Sequence, residues 1–202
     1  MQPEPEPAIE CADEPEPVPE EPPAPEPEPT SAVHSDPELP YKERSVWTRH
    51  LRDAFMGGSF IPGPQTKDLN LAFTPPHNTG SWEDFTPVFV EQARLYVLAD
   101  KYGIEPLCQL VLSKLHQTLK DFKLYPTGVA GVLEFVRFVY SNTPPNYANR
   151  VDAMRSLATR YVVSVLGQIG ETEEFQELLE EGGAFVTDFW HIIWSANATL
   201  RQ

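Results

Sequence analysis

The chain has 202 residues, 22 prolines, two cysteines and a formal net charge of −15. Residues 1–40 hold 12 of the 30 acidic residues and 13 of the 22 prolines but no Lys or Arg, so the remainder, with 18 acidic and 15 basic residues, is nearly neutral. This balance argues against a nucleic-acid binder, which needs a concentrated basic surface. No apolar run approaches the roughly 18–20 residues of a membrane span, the Met-Gln-Pro-Glu-Pro-Glu-Pro start has no secretory pattern, and Cys11 with Cys108 makes no disulfide framework. An intracellular protein, cytoplasmic or nuclear, is the expectation.

Residues 1–40 read as a disordered, acidic Pro/Glu-rich tail. Proline fixes φ and donates no hydrogen bond, the glutamates repel one another, and too few apolar residues are present to offset the entropy of ordering. Its role is a spacer or an acidic interaction segment, with the spacer favoured. Residues 41–85 read as an irregular connector holding one short amphipathic helix. That helix carries Val46, Trp47, Leu51, Ala54 and Phe55 at near-helical spacing and stops at Gly57-Gly58. The Gly57–Gly63 stretch lacks the Gly-Lys-Ser/Thr of a phosphate loop.

From Thr86 onward the apolar period is helical throughout. Thr86 as N-cap and Pro87 at the first helical position open a helix to Tyr102, where Gly103 is the C′ residue and Ile104 closes over it. A second helix begins near Glu105-Pro106 and carries Leu107, Leu110, Val111, Leu115, Leu119 and Phe122. Pro126-Thr127 opens a third with Val129, Val132, Leu133, Val136, Val139 and Tyr140 inward, and Asn142-Thr143-Pro144-Pro145 stops it. A fourth spans about 150–169 with Met154, Leu157, Ala158, Tyr161, Val165 and Leu166 inward. A fifth runs from Thr172 to Leu179, and a sixth holds Phe185, Val186, Phe189, Trp190 and Ile193. The fold class is therefore all-α, a bundle of five to six helices behind the tail.

Candidate chemistry is sparse. His34, His50, His77, His116 and His191 have no ligand-type partner at helical spacing, and a metal site needs several converging donors. They read as surface or half-buried side chains. Glu174, Glu177 and Glu181 alternate around Phe175, Leu178 and Leu179 as a solvated helix face does. No Gly-x-Ser-x-Gly elbow is present, Cys108 reads as an inert buried thiol, and Trp190 with Trp194 read as packing residues. Asn197-Ala198-Thr199 matches a glycosylation sequon only formally, since an intracellular chain never meets the enzyme. No catalytic, cofactor-binding or metal-ligating residue emerges, and the chain is read as a non-enzyme.

Residues 86–107, Thr-Pro-Val-Phe-Val-Glu-Gln-Ala-Arg-Leu-Tyr-Val-Leu-Ala-Asp-Lys-Tyr-Gly-Ile-Glu-Pro-Leu, resemble the final helix pair of the BTB/POZ domain. Leu124–Pro126, Val139–Thr143 and the Glu174–Val186 stretch are similar to motifs that follow this pair in the variety common in filamentous fungi. The likeness covers about residues 84–190, with 86–122 as the helix pair and 123–202 as the following helical region. It implies a protein–protein interaction module, an adaptor or scaffold. The strand-rich first half of that domain, which supplies its sheet, dimer surface and most contacts to cullin-type ligase scaffolds, has no counterpart here. The expectation is either a C-terminal remnant or a true start upstream of Met1. The resemblance implies protein partners: a second copy, or a cullin-type scaffold if an upstream half exists. The alternative is a truncated remnant or helical scaffold without specific activity.

Helix 86–102 is apolar over most of its circumference, with Glu91, Arg94 and Lys101 as one polar strip. Such a helix is normally buried among several elements. With no sheet available, part of it should stay exposed and be covered by a partner. Phe89, Leu95, Tyr96, Val97 and Leu98 are the candidate partner-binding residues.

Overall fold

A computed structural model describes residues 46–61, 73–145 and 151–199, with side chains from 49 to 195 within those ranges. The Pro/Glu-rich segment 1–40, and with it His34 and Cys11, lies outside the described residues, as do Trp47's side chain and Arg150. Among the described residues the secondary structure is helical, in eight α-helices: α1 (Val46–Gly57), α2 (Thr86–Lys101), α3 (Glu105–Asp121), α4 (Val129–Asn142), α5 (Ala153–Ser164), α6 (Leu166–Ile169), α7 (Glu173–Glu181) and α8 (Ala184–Thr199). The all-α expectation holds. No described helix is long and apolar enough to cross a membrane.

Helix α1 turns Leu51 and Phe55 into the core against α5, while Ala54 faces solvent, contrary to its expected inward place. Leu51 and Phe55 are i,i+4 and already fill the contact, so a methyl at 54 has nothing to reach. Helices α2 and α3 form a hairpin. Tyr102 is the C-cap of α2, Gly103 takes φ +66°, its N–H donates to Asp100 (3.0 Å), and the Ile104 N–H donates to Ala99 (2.8 Å). This pair of bonds is a Schellman cap, and it turns the chain directly into α3. At the other end the N-cap is Phe85 rather than Thr86, and the side-chain acceptor is Asp84, whose Oδ1 accepts the Thr86 N–H at 2.9 Å.

Helix α4 crosses the start of α2 closely. A Cβ at Gly131 would fall on Thr86 Oγ1, so glycine sets how near the two helices approach. Phe85, Phe89, Phe122 and Phe135 meet there, with successive ring centroids 5.1–6.0 Å apart. The segment before α2 is held by Asn78, which is buried. Its Oδ1 accepts the Lys123 N–H (2.8 Å) and its Nδ2 donates to the Lys123 carbonyl (2.6 Å), as a neighbouring strand's backbone would.

Helix α5 is the central element, packed against α1, α3, α4 and α8. Nine of its 12 residues are buried, including Arg155, Thr159 and Ser164. The fourth helix expected as one piece over 150–169 is instead α5 and α6, broken at Val165 (φ −107°, ψ 9°). The cause is local. Val162, Val163 and Val165 are β-branched, and Ser164 Oγ donates to the Tyr161 carbonyl at 2.6 Å, competing with the helical ladder.

Helix α7 ends at Gly182 and Gly183, both at positive φ, and α8 returns to pack on α5 through Phe185, Phe189 and Ile193. Trp190, expected inward, is 59 % exposed, and Trp194 is 64 % exposed. Phe185, Phe189 and Ile193 occupy the inward positions at i, i+4 and i+8, which leaves the two indoles stacked on each other at 6.3 Å on the outer side. Leu166 is half-buried.

Candidate functional site

The two faces of α2 differ sharply. Phe89, Val90, Ala93, Tyr96 and Ala99 are buried, and α3 and α4 cover them. On the opposite side Leu95 is 41 % exposed, Leu98 51 % and Tyr102 68 %. These three stand at i, i+3 and i+7, which places them in one row. Ile104, just past the Schellman turn, is also exposed. Glu91 and Arg94 flank the row as an ion pair (2.6 Å).

The candidate residues therefore separate. Leu95 and Leu98 are on the surface, and Val97 is half-buried against the core. Phe89 and Tyr96 are inside the chain, so neither offers a surface to a partner. The correction has a simple cause: an apolar circumference does not say which arc faces the neighbouring helices, and α3 and α4 take the arc centred on Phe89, Ala93 and Tyr96. Tyr102 and Ile104 join the exposed row in their place. The signal for Tyr102 was present in the sequence as the i+7 continuation of Leu95, but its expected role in the helix stop hid it; Ile104 lies past the turn and has no place in that spacing.

Tyr96 has a different task. Its hydroxyl donates to Asp152 Oδ2 at 3.0 Å, across 56 residues of sequence. Burial first, and then the Asp152 charge, push the phenol's pKa well up, so it stays a donor. Asp152 Oδ1 accepts the N–H groups of Met154 (2.9 Å) and Arg155 (3.1 Å), capping α5. The surface row is thus carried by a helix pinned at its inner face.

A second polar cluster lies between α4, α5 and α8. Arg155 is 3 % exposed. Its Nε donates to Thr143 Oγ1 (2.8 Å) and its Nη2 to the carbonyls of Tyr140 (3.0 Å) and Thr143 (2.6 Å), the carbonyls left open at the end of α4. The guanidinium also stacks over the Tyr140 ring at 4.7 Å. Tyr140 donates to Asp188 Oδ2 (2.8 Å), and its hydroxyl oxygen lies 2.7 Å from Thr159 Oγ1. These groups tie three helices, with Arg155 Nη1 buried and left without a hydrogen-bond partner among the described residues; the arrangement is structural.

The remaining chemical candidates are placed as follows. His50, His77 and His191 are exposed. His116 is buried, not half-exposed, because its Nε2 donates to the Phe55 carbonyl at 2.8 Å and its ring packs edge-on against Phe55. Burial lowers its pKa, the Phe55 carbonyl opposing this. Cys108 is buried, and burial pushes its thiol up. Glu174, Glu177 and Glu181 lie on the exposed face of α7, Glu181 pairing with Arg137. Among the described residues no group of three or more His, Cys, Asp or Glu is placed to hold a metal ion.

Comparison with protein-family models, with characterised proteins and with solved structures finds no match for this chain.

Proposed function

We propose that the chain is a non-enzymatic protein–protein interaction module whose docking surface is the outer face of α2. One observation carries the reading. Leu95, Leu98 and the C-cap residue Tyr102 form an exposed apolar row along a helix whose inner face is fixed to α3, α4 and Asp152, and Ile104 is exposed just past its end. Scattered surface apolar residues need no explanation, but an aligned row on a rigid helix is the form that helix-docking surfaces take. The resemblance of residues 86–107 to the final BTB/POZ helix pair supports the same assignment, since there this pair is one part of a larger interaction domain.

The test is site-specific photo-crosslinking in the cell, with the reactive side chain at position 98 and a control at position 177 on the outer face of α7. Discrete protein adducts from position 98 that are missing from position 177 are expected. Adducts from neither position, or the same set from both, would overturn the assignment.

A further inference from the structure

Proline follows threonine at three places, Thr74-Pro75, Thr86-Pro87 and Thr143-Pro144, and follows serine nowhere. A Thr-Pro step is the minimal recognition element of proline-directed kinases, and it has a physical basis. Proline brings no N–H that an extended substrate would leave unpaired, and it biases the threonine before it towards extended backbone. All three steps lie among the described residues, and the fold treats them differently.

Thr143 is buried. Its Oγ1 donates to the Val139 carbonyl (2.7 Å) and accepts the Arg155 Nε–H (2.8 Å), so it belongs to the polar cluster at the end of α4. Thr86 is the first residue of α2 and half-buried, and its Oγ1 stands against α4, where a Cβ at Gly131 would fall on it. Neither hydroxyl can meet an enzyme without a local opening of the bundle. Thr74 is exposed, within residues 73–79, which have neither helix nor strand. Two anchors hold that stretch on α3 and the turn after it: Lys114 sits over the Phe73 ring at 4.7 Å, and Asn78 is bonded to Lys123. Phe73 and Pro75 are half-buried while Thr74 and Pro76 are exposed, the alternation of extended backbone whose successive side chains take opposite sides. The anchored segment therefore presents the Thr74 hydroxyl to solvent.

We propose that Thr74 is a phosphorylation site for a proline-directed serine/threonine kinase. Its Oγ attacks the γ-phosphorus of ATP. The Oγ–P bond forms as the bond from that phosphorus to the bridging oxygen breaks, ADP leaves, and the hydroxyl proton passes to the kinase's catalytic carboxylate. The product carries about two added negative charges and three acceptor oxygens at the surface, outside the core.

The test incubates the full chain with an active mitogen-activated protein kinase and ATP and maps the phosphate by mass spectrometry, with peptides 69–79, 81–91 and 138–148 as unfolded references. Thr74 is expected to react in the chain at a rate within about tenfold of its peptide. Thr86 and Thr143 should be slowed at least about a hundredfold against theirs, since the kinase meets them only in a rare opened state. Thr74→Ala should remove the modification and leave the melting temperature unchanged. In chain captured from its own cells under phosphatase inhibition, phosphate is expected on Thr74. The proposal is overturned if Thr74 stays unmodified in the full chain, if Thr86 or Thr143 reacts as fast as Thr74, or if the captured chain carries no phosphate on Thr74.

Discussion

The Tyr96 hydroxyl donates to one oxygen of Asp152 while the other oxygen caps α5, so a single carboxylate joins the docking helix to the centre of the bundle. Tyr96→Phe should destabilise the chain by about 1.5–3 kcal/mol, the range for a hydrogen bond to a charged group. Asp152→Ala removes both this bond and the cap and should cost about 2 kcal/mol or more. The two losses share an interaction, so the double variant should fall short of their sum by at least about 0.5 kcal/mol in urea unfolding.

Arg155 completes the C-terminal end of α4 with hydrogen bonds to Tyr140 and Thr143. Arg155→Met should cost about 3 kcal/mol or more, because two buried carbonyls lose their donors. Arg155→Lys should recover only part of this, since an ammonium cannot reproduce the planar fork or its stacking on Tyr140. Urea midpoints with an unchanged m-value would check both expectations.

His116 makes stability depend on pH. Its folded pKa is depressed by burial, so above its ordinary value near 6.5 it is neutral in both states and carries no proton cost. As pH falls through that value the unfolded chain takes up a proton that the folded chain refuses. Stability therefore declines on acidification until the folded pKa is reached. His116→Gln should flatten the stability profile between about pH 7 and pH 5, measured by urea unfolding at several pH values.

Local signals made much of this fold legible. Gly103-Ile104 announced the Schellman turn. Val111, Leu115 and Leu119 of α3 and Val129, Val132, Leu133, Val136 and Val139 of α4 are buried as their spacing implies, while Leu107, Leu110 and Tyr140 are half-buried and the buried Leu112 and Phe135 lay outside the expected rows. Helix α5 was harder, because Arg155, Thr159 and Ser164 carry no apolar signal yet are buried. They are buried because each finds a carbonyl: Thr159 donates to Arg155 (2.9 Å), Ser164 to Tyr161 (2.6 Å), and Arg155 to the end of α4. Tertiary partners of this kind leave no periodic trace. The same is true of Asp152, whose place before α5 implies a cap but not a bond to Tyr96. In α8 periodicity favoured indole burial, yet Phe185, Phe189 and Ile193 had already filled the inward row. The α2 site was half legible: an apolar circumference implied an uncovered arc, and only the packing of α3 and α4 shows that the arc holds Leu95 and Leu98 rather than Phe89 and Tyr96.

The most direct measurement is the affinity of the purified chain for the protein crosslinked from position 98, compared between wild type and Leu95→Asp/Leu98→Asp. Both leucines are at the surface, so the double variant should keep its melting temperature, with a stability change of no more than about 1 kcal/mol. Its Kd should rise at least about tenfold, because two charges would be buried in an apolar contact. An unchanged Kd with an intact fold would contradict the assignment of the outer face of α2 as the docking surface.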